Sequence, residues 1–345
     1  MRIAITSRLY FPIIGGTPVL LRLLARAFVE LGHAVKLITK TEGPANSGHE
    51  LYETYRGPDQ ATIKDIAGWS DVVFQIEAGL ALAFPFILKK KPVVISHHTI
   101  CGLSEGFNAV LWLQRMFARF NTVTSVSDSV RNSWGGHGYV IGNCYDNKVF
   151  FDKNEIKNRE LLFVGRLIPT KGVEVLLNAL SILKREGLTP DASFIGDEIT
   201  PQGSATALYK SQAAALGLSD QVEFLGSKTP EQVAEEMRSS RVLVIPSTWH
   251  EPFGIVALEG LASGCHLVAS RHGGLPTAGG SFAHYFENGS ADDLARALRE
   301  ALFAQTCNLA ENHALKAHLE AHSPQSIAQK YIELFQHAIN GKSHS

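Results

Sequence analysis

Short runs of β-branched and aliphatic residues alternate along the chain with stretches whose apolar positions recur at helical spacing, the pattern of β-α-β units on a parallel sheet. In the first half this predicts strands at Ile3–Thr6, Val35–Thr39, Val72–Phe74, Val93–Ser96 and Thr122–Val126. Leu20, Leu24, Phe28 and Leu31 fall at i, i+4, i+8 and i+11, predicting a helix over Val19–Leu31 that Gly32 stops. The second half repeats the grammar at Leu161–Val164, Ser193–Ile195, Val222–Leu225, Val242–Ile245 and His266–Ala269. Two α/β lobes are implied, with a hinge in the polar stretch 146–160. Near the end, Ser323-Pro324 reads as an N-cap and first turn, and Ile327, Tyr331, Leu334, Phe335 and Ala338 share one helical stripe.

The length of 345 residues exceeds one ordinary hydrophobic core and agrees with two lobes. With 45% hydrophobic and 19% charged residues, the composition is that of a folded protein. Lys plus Arg number 32 against 33 Asp plus Glu, so no global field draws the chain to nucleic acid or to an anionic bilayer. Cys101, Cys144, Cys265 and Cys307 are far apart, with no C-x-x-C pair, which fits a reduced, cytoplasmic setting and no metal cluster. The apolar start at Ile3-Ala4-Ile5 is too short for an export signal, and the uncharged run Ala78–Leu88 is too short to span a membrane.

In a doubly wound sheet, ligands bind at the carboxyl ends of the strands, so the residues just beyond each strand carry the candidate chemistry. After the first strand, Gly15-Gly16 opens a helix whose bare amides suit an anion or a sugar hydroxyl; a tight turn needing positive φ explains the pair equally well. No G-x-G-x-x-G is present, which weakens a dinucleotide reading. After Val93–Ser96 stand His97-His98-Thr99, where a satisfied structural histidine is the simpler reading and a metal site lacks further ligands. Arg166 and Lys171 flank the loop after Leu161–Val164 and suit a diphosphate, with a solvated basic loop as the alternative. Beyond Val242–Ile245, Glu251 falls in the loop and Glu259 about two turns into the helix that starts near Gly254. A carboxylate in the apolar stretch Ile255–Ala262 needs hydrogen-bond partners, which a sugar diol or a salt bridge would supply.

With these residues the chain resembles, end to end, a family 4 glycosyltransferase of the GT-B type: α/β, with two Rossmann-like domains facing a central cleft. The carriers are the GG loop, SHHT at 96–99, VSDS at 126–129, IGNCYD at 141–146, FVGRLIPTKG at 163–172, VEFLG at 222–226 and HEPFGIVALEGLASG at 250–264 followed by GGLP. The resemblance implies an acceptor-binding domain over 1–150, a nucleotide-sugar domain over 151–323 and a helix over 324–345 that crosses back to the first domain. It assigns Arg166 and Lys171 to the donor diphosphate, Glu259 to the ribose hydroxyls, and Glu251 with the backbone of Phe253, Gly254 and Ile255 to the transferred sugar. Gly15, Gly16 and His98 fall on the acceptor side, with Gly16 near the donor phosphate and His98 facing the reacting sugar. Catalytic effect is expected from Arg166, Lys171, Glu251 and His98, with retention at the anomeric carbon, a UDP-, GDP- or ADP-linked donor and no essential metal or other cofactor. Closure of the two lobes would bring donor and acceptor together. Three positions depart from the family: Thr277 replaces a glutamate and bears on donor-sugar contacts, while Glu198 for glycine and Gly142 for proline are read as changes of loop shape.

The acceptor is expected to be a sugar, a small molecule or a lipid-linked group. Ala81–Leu88 with Lys89-Lys90-Lys91, and Trp112–Phe120, could form a basic aromatic surface for a lipid-linked acceptor at the inner face of a membrane. Two packed helices with cationic ends are the preferred reading. Rival classes are a nicotinamide oxidoreductase, a GT-B epimerase or phosphorylase acting on sugar nucleotides, and a silent sugar-nucleotide binder.

Overall fold

The computed structural model describes residues 1–13, 15–43, 51–102, 109–200, 203–304 and 312–342. Ile14 of the glycine loop and Cys307 lie outside the described residues. The chain forms two units, one of residues 1–145 with 321–345 and the other of 146–320.

In the first unit, strands β1 (Arg2–Ser7), β2 (Ala34–Thr39), β3 (Glu53–Arg56), β4 (Val72–Ile76), β5 (Val93–His97), β6 (Thr122–Ser125) and β7 (Tyr139–Val140) pair in parallel in the order β3-β2-β1-β4-β5-β6-β7. Helices α1 (Gly16–Glu30), α2 (Gln60–Trp69), α3 (Leu80–Leu88), α4 (Ala109–Arg119) and α5 (Asp128–Ser133) connect them. The strands β3 and β7 escape the hydrophobic pattern because they are short, half-exposed edges, ETYR and YV. Period-two alternation sorts the central strands between two cores: Ile3, Ile5 and Phe74 pack with α1, whereas Ala4 and Val73 pack with α2 and α3.

The second unit holds β8 (Arg159–Val164), α6 (Val173–Arg185), β9 (Ala192–Ile195), the hairpin β10 (Ile199–Thr200) with β11 (Gly203–Ser204), α7 (Ala205–Ala215), β12 (Val222–Gly226), α8 (Pro230–Ser239), β13 (Ser240–Ile245), α9 (Ile255–Ala262), β14 (His266–Ser270), α10 (Leu275–Gly279), β15 (Ala283–Phe286), α11 (Ala291–Phe303) and α12 (His313–Ala321). Its parallel sheet runs β12-β9-β8-β13-β14-β15. The polar stretch after residue 145 is fastened to this unit: Lys157 Nζ donates to the carbonyls of Arg238 (2.8 Å) and Ser263 (3.0 Å), and the Asn158 amide to Ser239 (2.9 Å).

The last helix, α13 (Pro324–Lys342), lies on α1 in the first unit. Its apolar stripe closes an aromatic cluster, with Tyr331 4.6 Å and Phe335 5.5 Å from Phe74, ring centre to ring centre. The Tyr331 hydroxyl shares a 2.9 Å hydrogen bond with Ser96 Oγ, so this buried polar atom is satisfied.

Candidate active site

The second sheet brings two loops together at the carboxyl ends of β8 and β13. The Thr248 amide donates to Thr170 O at 2.9 Å, and the loops touch again where Gly172 meets Pro246. Gly172 has φ 74°, and a Cβ there would fall 1.8 Å from Pro246 O, so only glycine allows this approach. The single 3₁₀ turn Pro169–Lys171 thereby delivers Lys171 to Glu251. Lys171 Nζ donates to Glu251 Oε1, and Ser247 Oγ donates to the same oxygen at 2.7 Å. Glu251 is buried, which calls for this pairing. Trp249 flanks the pair, with its ring centre 5.9 Å from the Lys171 ammonium.

The Glu251 backbone is gripped from its other side by the GGLP loop. The Gly274 amide donates to Glu251 O at 2.6 Å, and a Cβ on Gly273 would stand 2.4 Å from the same carbonyl. Phe253 is wholly buried, and Gly254 caps the N-terminus of α9 without a side-chain hydrogen bond. Ile255 opens that helix, whose first amides and dipole make a seat for an oxyanion or hydroxyl.

Glu259 is the fifth residue of α9, little more than one turn in, where the sequence suggested about two. Burial, reinforced by the nearby charge of Asp146, pushes its carboxyl up to about 7. Arg166 is 68% exposed and stands 3.8 Å from Glu198 Oε2. Glu198 therefore does more than reshape its loop: it sets a carboxylate beside the cation assigned to the diphosphate. Its backbone is pinned on both sides, the amide by Asp197 Oδ1 (2.8 Å) and the carbonyl by the Ala205 amide (3.0 Å). Thr277, where the resemblance leads to a glutamate, sits in α10, and its amide donates to Gly274 O at 3.0 Å.

In the first unit, Gly16 is the first residue of α1 and Gly15 its uncapped N-cap, with φ 166°. That angle is extended backbone, so the tight-turn explanation for the pair does not hold. His98 is buried and shares a 2.9 Å hydrogen bond with Ser96 Oγ through Nε2, while its amide donates to Glu77 Oε1 at 2.8 Å. Burial, with His97 adding to it and Glu77 opposing it, lowers the imidazole to about 4, so the ring is neutral near pH 7.

The structure thus joins Lys171 to Glu251, places Phe253–Ile255 and Glu259 on the same loop and helix, and leaves Arg166 projecting beside Glu198. Gly15, Gly16 and His98 belong to the other unit. Sequence reasoning missed Ser247, Trp249, Glu198 as a charged neighbour, and Asp146. A serine four residues before Glu251 was the only signal for the first. Helices α3 and α4 pack on the first unit's core through Phe86 and Ala118, while Phe84 and Leu88 of α3, Val110, Trp112 and Leu113 of α4 and Phe120 just beyond it are exposed. No helix among the described residues is long and apolar enough to cross a membrane.

The two parallel-sheet units form the GT-B fold of glycosyltransferases. Residues 146–314, just under half of the chain and nearly all of the second unit, match the family described as "Glycosyl transferases group 1". The D-inositol 3-phosphate glycosyltransferase of Corynebacterium jeikeium is 33% identical over 178 residues, 50% of this chain and 42% of that protein. The protein of the same name from Corynebacterium efficiens is 35% identical over 117 residues, 34% of this chain and 27% of its own length. The matched stretches thus span less than half of these curated relatives. The crystal structure of Anabaena Alr3699/HepE in complex with UDP is similar over 97% of this chain and 100% of that one, with 21% identity and a TM-score of 0.79.

Proposed function

We propose that the chain is a retaining glycosyltransferase, moving a sugar from a nucleoside-diphosphate sugar held by the second unit to an acceptor hydroxyl held by the first. The observation that carries this reading is the Lys171–Glu251–Ser247 cluster beside the uncapped N-terminus of α9. Transfer must stabilise an oxocarbenium-like sugar and a departing nucleoside diphosphate together. Lys171, Arg166 and the helix amides offset the leaving-group charge, the role a metal ion takes elsewhere. Glu251 positions the sugar and stabilises its developing positive charge, and Glu259 accepts from the ribose hydroxyls. Arg166 exchanges Glu198 for the diphosphate when donor binds. In the first unit, neutral His98 donates to or accepts from the reacting sugar rather than carrying charge.

The UDP in the Anabaena structure makes a uridine donor the first to try, ahead of GDP- and ADP-sugars. On this reading the chain works in the cytoplasm on a sugar, small-molecule or lipid-linked acceptor, and any contact with the inner face of a membrane falls to the exposed Phe84, Ile87 and Leu88 of α3 with Lys89–Lys91. A panel of UDP-, GDP- and ADP-sugars tests it, by thermal shift and then by mass spectrometry of donor hydrolysis. One donor is expected to raise the melting temperature and to be hydrolysed slowly. Binding without any turnover, with acceptors supplied, would favour the silent-binder alternative, and a flat panel would reject the donor site.

A further inference from the structure

We propose that a cavity in the first unit, between α4 and α5, binds an amphiphilic anion: a phosphate monoester whose oxygens Arg115 and Arg119 hold and whose apolar tail lies along α4. The glycosyl-transfer reading enters only in naming this molecule the acceptor. The cavity measures about 360 Å³, and His97, Trp112, Arg115, Arg119, Trp134 and His137 are among the residues that line it. That is room for a headgroup and a few carbons, near the lower end of small-ligand sites.

Charge and polarity select the occupant. Among the described residues no carboxylate lines the cavity, and α4 contains no acidic residue. Arg115 donates to two neutral acceptors, Ser133 O at 3.1 Å and Cys101 Sγ at 3.4 Å. Among the described residues neither Arg115 nor Arg119 has a carboxylate partner, whereas Arg131 on the neighbouring α5 pairs with Asp128 at 2.6 Å. Two guanidinium groups without counter-charges suit a phosphate, which each can grip through paired N–H groups. Behind them the His97 ring stacks on Trp134 with centres 3.8 Å apart, its Nδ1 3.3 Å from Glu77 Oε2. Its buried Nε2 has no hydrogen-bond partner among the described residues. Beside the arginines the α4 side of the cavity is apolar: Met116 lines it, and so does Trp112, which is 53% exposed. An inorganic anion would leave that face wet, and a neutral lipid would leave both arginines without an anion.

The test is tryptophan fluorescence titration of the whole chain with decyl phosphate below its micelle concentration, since Trp112 and Trp134 both line the site. Saturable binding is expected, at least tenfold tighter than for decyl glucoside or inorganic phosphate, and weakened at least tenfold in Arg115→Gln/Arg119→Gln. Circular dichroism melting checks that the variant folds, and Trp112→Ala, which loses a surface side chain, should weaken decyl phosphate but not inorganic phosphate. Equal binding of decyl phosphate and decyl glucoside, equal binding of inorganic phosphate, or an unchanged double variant would overturn the proposal. So would capture on phosphatidylglycerol vesicles without binding of soluble decyl phosphate, which would make α4 a membrane surface instead. Nucleotide thermal shift on the same samples reads the other unit: its failure with decyl phosphate binding intact counts against glycosyl transfer and supports the cavity as assigned.

Discussion

At the residue scale, the site depends on how few groups share a small volume. Lys171 and Glu251 form a largely buried pair, so removing one partner leaves the other's charge without compensation. Lys171→Ala should therefore abolish donor turnover and also cost about 3 kcal/mol of stability in the second unit. Adding Glu251→Gln should restore most of the stability but none of the turnover, a pattern that denaturant titration of the single and double variants checks. Glu259 yields a pH prediction. Its carboxyl, raised to about 7, is still protonated in the folded chain at pH values where the unfolded chain has lost that proton. Its contribution to stability is thus present below the ordinary carboxylate range and is lost as pH rises towards 7. Glu259→Gln should flatten the melting temperature between pH 5 and pH 7.5, and donor affinity in the native chain should rise across the same window as the carboxylate forms to accept from the ribose. The FVGRLIPTKG and HEPFGIVALEGLASG motifs marked most of these residues in the sequence. They did not reveal that Lys171 and Glu251 meet, because that contact depends on the close approach of Gly172 to Pro246, a tertiary event without local periodicity.

Elements were more legible than contacts. The buried central strands show as continuous apolar runs because helices cover both faces of each sheet. Edge strands β3, β7 and β15 did not show, since a short half-exposed strand has neither a run nor a clean alternation. The stripe of α13 was visible as a stripe, but its partners Phe28 and Phe74 are hundreds of residues away. Phe335 is wholly buried against both, so Phe335→Ala should destabilise the first unit by about 3–5 kcal/mol. Calorimetry should show this as a lower transition for that unit, with the nucleotide-induced shift of the second unit retained.

At the scale of the molecule, each unit has its own core, and the second is an insertion into the first. A fragment of residues 146–320 should fold alone and keep nucleotide affinity, measured by dichroism and thermal shift. A fragment of 1–145 lacks α13 and should not melt cooperatively. The same arrangement sets an order for synthesis. When residue 145 leaves the ribosome, the aromatic cluster around Phe74 still lacks Tyr331 and Phe335, and at about 5–20 residues per second these follow on the order of tens of seconds later. The nucleotide-side unit can complete its core in that interval, so the segment made first is the one that must wait, its apolar face in need of shelter until the last helix emerges.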